Sequence, residues 1–96
     1  MPINYDKIIE IYGEELLITI LENVKDVESN INYLNSLGYT DTFDIFERYP
    51  YIFIKSSKEF QNQINKLINK LGYNHVEIIE NNLDLLEELQ WLKYMI

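Results

Sequence analysis

Ser56-Ser-Lys-Glu-Phe-Gln-Asn-Gln-Ile-Asn-Lys-Leu-Ile-Asn-Lys-Leu-Gly72 is the stretch whose spacing decides the fold. Phe60, Ile64, Leu67, Ile68 and Leu71 fall at offsets 0, 4, 7, 8 and 11, one stripe on a helix of 3.6 residues per turn. A strand would scatter them over both faces. Ser56 with Glu59 three positions on forms a capping box, in which the hydroxyl accepts from an orphan amide and the carboxylate reaches back. The spacing therefore predicts a helix over residues 58–71, beginning near Ser57 and stopped by Gly72. An earlier stretch ends in the same way. In Ser36-Leu37-Gly38-Tyr39 and Lys70-Leu71-Gly72-Tyr73 a glycine enters the left-handed region without a Cβ clash, and the next residue folds back on the helix. The expected contacts are Tyr39 on Leu34 and Tyr73 on Ile68.

Working outward, Ser29 is placed to cap a helix carrying Ile31, Leu34 and Leu37, and Asp41 or Thr40 one carrying Phe43, Ile45 and Phe46. The latter must stop at Arg48-Tyr49, because Pro50 pushes the residue before it out of the helical region. Helices are also expected near residues 4–12, ended by Gly13, and over 14–27, the latter with Ile20, Leu21, Val24 and Val27 inward. Asn74 before Glu77 marks another start, and Leu85, Leu89, Leu92 and Ile96 give residues 83–96 a helical period. Residues 51–54 and 76–79 are β-branched and aromatic enough to form short strands instead. The expected fold is all-α: one domain over 1–96, a compact array of six or seven short helices.

Three nine-residue stretches, 20–28, 45–53 and 78–86, align without gaps, each opening with two apolar residues and a glutamate. The two Leu-Gly-Tyr marks lie 34 residues apart, the length of one helix-turn-helix unit. They precede the second and third stretches by seven residues only if one counts from Gly38 but from Leu71, a shift of one position. The chain thus reads as two to three degenerate units. Leu37-Gly38-Tyr39, Asp44-Ile45-Phe46, Arg48-Tyr49-Pro50, then 56–71 and a second Leu-Gly resemble the repeat of the mitochondrial transcription termination factor family. That resemblance covers about 35 residues and implies a helical-repeat shape. Where the family has proline the first copy has Lys25 and the third Leu83, and the family's members are basic where this chain is acidic, so no binding residue is carried over.

Ninety-six residues with 47% apolar side chains make one domain, with a core burying roughly 60–65% of the surface of the unfolded chain. The formal charge of −8 repels phosphate backbones and anionic lipid, which argues against nucleic acid or a membrane as partner. With no cysteine there is no disulfide and no thiolate chemistry. Residues 1–12 carry three charges and no long apolar run, so the expectation is a cytoplasmic protein without a leader. Charge is uneven: −5 over residues 1–36, +1 over 37–71 and −4 over 72–96.

Catalytic parts are few. His75 is the only histidine, with Glu77 and Glu80 nearby, but exposed polar residues are ordinary at a helix start. Ser29, Ser56 and Ser57 are spent on caps, and there is no glycine-rich phosphate loop or calcium loop. No enzyme, cofactor or metal is expected. Eight tyrosines combine apolar area with a polar tip, a composition enriched at protein interfaces. Tyr49, Tyr51, Trp91, Tyr94 and Met95 are the candidate contact residues; the apolar residues of 83–96 wrap too far round a helix for one face to hold, so that helix is either central to the fold or meets another chain.

The function expected is a non-enzymatic, acidic protein-interaction module acting on a protein partner or as a homodimer. The alternative is an acidic decoy for a basic nucleic-acid groove, as phages and mobile elements encode. A third reading is nucleic-acid binding through Arg48, Lys55, Lys58, Lys66 and Lys70. The homodimer branch predicts that Trp91→Glu with Met95→Glu turns a dimer into a monomer in light scattering; a folded monomer before and after removes self-association through that face.

Overall fold

The computed structural model describes residues 4–91, with Gln90 and Trp91 described by their backbone alone. Eight α-helices and one 3-10 turn follow one another: α1 Tyr5–Tyr12, α2 Glu14–Glu22, α3 Val24–Ser36, α4 Thr42–Arg48, α5 Pro50–Phe53, α6 Ser57–Leu71, α7 His75–Asn81, the turn Leu83–Leu86, and α8 Glu87–Trp91. Among the described residues there is no strand, and the all-α architecture holds. The extra helices come from breaks that periodicity does not show. The expected helix over 14–27 is cut at Asn23, whose side-chain amide donates to the Thr19 carbonyl at 2.8 Å and so competes with the regular ladder. As a result Ser29 lies inside α3 rather than capping it, and Leu21 points outward. Residues 83–96 do not start as an α-helix either, since Leu83–Leu86 is a 3-10 turn.

Both strand-like segments are helical. Pro50 stands at the first position of α5, where its fixed φ suits a helix and its missing N–H costs nothing, and Ile52 and Phe53 are then buried. In α7 Ile79 is buried with Val76 packed beside it, so burial of one face overrides strand propensity. The Ser56 hydroxyl accepts from the Glu59 amide at 3.3 Å as its box requires, whereas Asp41 and Asn74 occupy cap positions without a side-chain cap bond.

The two glycine-tyrosine stops differ. At Gly38, φ +102°, the Tyr39 amide bonds the Leu34 carbonyl (3.2 Å) and the Gly38 amide bonds Asn35 (3.1 Å), the paired bonds of a Schellman turn, and Tyr39 is buried with Leu34 in the core. Gly72 has φ +84° but an extended ψ of −167°, so the chain leaves the helix and Tyr73 is 92% exposed instead of lying on Ile68.

Burial brings out a recurrence. Gly13, Ile20 and Val27, then Gly38, Ile45 and Ile52, then Gly72, Ile79 and Leu86 each run at spacings of seven; all three glycines have positive φ and all six aliphatic residues are buried. The third run passes through Ile79, one residue on from the start of the 78–86 stretch. In each run the helix breaks between the two buried positions, at Asn23, Tyr49 and Asn82.

At the centre Phe46, Phe53 and Phe60 are fully buried, with ring centroids 5.4 and 5.1 Å apart along the row. Two polar side chains are buried beside them. Asn30 of α3 donates through Nδ2 to the carbonyls of Phe53 (2.9 Å) and Lys55 (3.0 Å), serving the end of α5 where no helical donor remains. Lys55, only 6% exposed, donates through Nζ to Gln63 of α6 (2.7 Å) and to the Leu89 carbonyl of α8 (3.0 Å). Asn30→Ala is expected to lower the unfolding free energy in urea by about 2–3 kcal/mol, because two buried carbonyls lose their donor. Ile18→Ser, on the outer face of α2, should stay within about 0.5 kcal/mol of wild type.

Candidate interaction surface

A single residue, Gly13, separates α1 from α2, and the two helices pack as a hairpin whose outer side is open to solvent. Tyr12 anchors it. Its hydroxyl is shared between the Glu47 (2.7 Å) and Arg48 (3.1 Å) carbonyls at the end of α4, and its ring meets Tyr51 edge-on at 6.2 Å. Tyr49 and Tyr51 flank Pro50, so the same break that ends α4 presents one tyrosine on either side of Tyr12. Tyr49 and Tyr12 line a notch of about 520 Å³ with Lys7, Ile11, Asp44 and Glu47, and Tyr51 and Tyr12 line the next depression with Glu15, Thr19 and Ile54.

Charge in the notch is largely paired. Lys7 Nζ lies 2.8 Å from Glu47 and Arg48 Nε 3.1 Å from Asp44, and the Glu47 bond holds the Lys7 ammonium above its ordinary pKa. The Tyr12 phenol is pushed up by burial and then by its neighbours Tyr51, Tyr49 and Glu47; Tyr49 is pushed up by burial and by Glu87 and Asp84. Both phenols stay protonated donors through the neutral range.

The hairpin also exposes aliphatic side chains, of which Ile11 lies in the notch with Tyr12 and Tyr49. Ile11 is 55% exposed, Ile18 54% and Leu21 51%. Ile18 and Leu21 are three residues apart on the face of α2 opposite Leu16 and Ile20, which are buried. Sequence reasoning passed over these residues and Tyr12; the signal was that α2 carries more apolar positions than one face buries. Of the expected contact residues, Tyr49 and Tyr51 meet at this surface. Trp91 ends α8 with its side chain outside the description, and Tyr94 and Met95 lie outside the described residues.

The five basic residues of 37–71 do not share a surface. Arg48 is paired in the notch and Lys55 is buried, while Lys58, Lys66 and Lys70 form with Asn62 an i, i+4, i+8, i+12 row along α6. His75 bonds the Tyr39 hydroxyl through Nδ1 at 2.9 Å, and Glu80 accepts from Thr40 at 2.7 Å. Among the described residues no group of three or more His, Asp or Glu could hold a metal ion, and no helix is long and apolar enough to cross a membrane. No protein-family model, curated protein or solved structure matches the chain.

The Tyr39–His75 bond ties the end of α3 to the start of α7, and burial gives the Tyr39 phenol a pH signature of its own. Burial, with Glu80 nearby, pushes the Tyr39 phenol up to about 12. A phenol whose pKa is higher folded than unfolded contributes stability that is complete below about pH 10 and lost as pH rises from there toward 12. Urea melts of wild type and Tyr39→Phe across that window should show the wild type losing stability more steeply; parallel curves would mean the phenol does not titrate with folding.

Proposed function

We propose that the chain is a non-enzymatic protein-interaction module with a regulatory role in the cytoplasm, built as a degenerate helical repeat and binding a protein partner through the outer side of the α1–α2 hairpin. One observation carries this reading: three aliphatic side chains more than half exposed on one hairpin, of which Ile11 lies in the notch with Tyr49 and Tyr12, the tyrosine that fixes the cluster. Apolar exposure concentrated on one element, bordered by aromatic residues with few rotatable bonds, is the usual composition of a contact surface. The glycine and isoleucine spacings of the three runs support the repeat reading.

The acidic-decoy reading is favoured by a different observation. Asp6, Glu10, Glu14, Glu15, Glu22 and Glu28 are all exposed, and none of them forms an ion pair among the described residues. Salt separates the two readings, since a decoy held by charge weakens steeply with ionic strength and an apolar contact does not. Nucleic-acid binding has the least support, resting on the Lys58, Lys66 and Lys70 row alone; absence of a gel shift at low salt and micromolar protein ends it.

The interaction reading predicts that immobilised wild type retains a protein from the lysate of its source cells that the Ile11→Ser/Ile18→Ser/Leu21→Ser variant loses, with unchanged circular dichroism. Retention equal in both would remove the hairpin from the interface.

A further inference from the structure

We infer that the occupant of the outer face of α2 is a partner segment carrying apolar side chains flanked by lysine or arginine. This rests on the interaction reading and adds the partner's chemistry. Ile18 and Leu21 form the apolar centre of the face, and Glu14 and Glu22 stand four residues before and after Ile18 with Glu15 beside them. All three glutamates are exposed and, among the described residues, lack an ion-pair partner. The cations of the hairpin and of the break after it do not neutralise this rim: Lys7 is engaged by Glu47 across the notch, and Lys25 lies beyond Asn23.

An apolar strip bordered on both sides by one sign of charge selects the opposite sign at its edges. A second copy of the chain is the other simple way to cover such a face. A two-fold contact would set Glu14, Glu15 and Glu22 of one copy against the same residues of the next, and like charges at close quarters select against it. The exposed lysine row of α6 belongs to a different helix, whose Phe60, Ile64 and Leu67 are buried, and its Lys66 and Lys70 border a cleft of about 590 Å³ together with Glu88, a carboxylate already within reach of them. A segment with leucine- or isoleucine-type anchors and basic flanks satisfies both parts of the face, the anchors by desolvation and the flanks by pairing with the glutamates.

The test uses the full chain, labelled with nitrogen-15, and two synthetic amphipathic helical peptides with the same leucine stripe, one flanked by lysines and the other by glutamates. The lysine-flanked peptide should shift amides of residues 14–22, bind about tenfold or more tightly than the glutamate-flanked one, and weaken about tenfold with Ile18→Ser/Leu21→Ser. With Glu14→Gln/Glu15→Gln/Glu22→Gln the preference for lysine should collapse while the leucine stripe still binds. Equal binding of both peptides at α2 overturns the basic partner and leaves the interaction reading standing. Shifts confined to other elements, or none at about millimolar peptide, overturn it as well, and capture by the hairpin from lysate then decides separately whether this is an interaction surface at all. A wild-type dimer in sedimentation whose α2 amides shift on dilution assigns the face to a second copy and also overturns the inference.

Discussion

The row of Phe46, Phe53 and Phe60 is where the helices of this small protein become one object. The helices run from four to fifteen residues, and segments of that length do not persist alone in water, because nucleating each one costs more than its few hydrogen bonds return. The three rings come from α4, α5 and α6 at intervals of seven residues and meet at 5.4 and 5.1 Å. Tyr33 of α3 adds its ring edge to Phe60 at 6.4 Å. Four helices are thereby committed to a single packing arrangement, and α5, with four residues and almost no helical stability of its own, exists because its Ile52 and Phe53 are buried there.

So short a set of helices exposes many backbone ends, and the interior must serve some of them. Asn30 and Lys55 do so from within the apolar core. The first closes the carbonyls after α5, and the second joins the α6 side chain of Gln63 to the backbone of α8. Tyr12 does the same for the end of α4 from outside. Buried polar groups cost free energy unless paired, so these bonds fix which helix end lies against which neighbour, where apolar packing alone would tolerate several arrangements. Specific placement of helix ends is what puts Tyr49, Tyr12 and Tyr51 in one cluster.

The long amphipathic segment, its Ser56 cap, the glycine stops and the break before Pro50 were legible in the sequence because each rests on chemistry confined to a few neighbouring residues. The break at Asn23 was not, since a mid-helix asparagine reads as ordinary until its amide is seen bonded to Thr19. That single break explains two errors together. With 14–27 taken as one helix, Leu21 belongs on the inner face, and Ser29 looks free to start the next segment. The site suffered from the same limit: Tyr49 and Tyr51 were visible as tyrosines beside a proline, but Tyr12 joins them through a contact spanning 35 residues of sequence, which no local pattern records. Tyr73 failed for a different reason, a ψ angle that a glycine is free to choose and that the letters Leu-Gly-Tyr do not encode.

Charge is separated in space as well as along the chain, and this gives the surface a direction. The α1–α2 hairpin carries Glu10, Glu14, Glu15 and Glu22 without an ion pair among the described residues, whereas Lys58, Lys66 and Lys70 line α6. At ordinary ionic strength such fields are screened within about 8 Å, so they act on a partner during the last steps of encounter rather than from afar. On the proposed reading, a basic-flanked segment approaching the hairpin meets attraction at the glutamates before its apolar anchors touch Ile18 and Leu21, and at the lysines of α6 it meets repulsion. Charge would then bring the segment to α2 and turn it, and desolvation of two aliphatic side chains would hold it. Removing the glutamates would slow arrival and removing the aliphatics would hasten departure, which is how an electrostatic rim and an apolar centre divide a single contact.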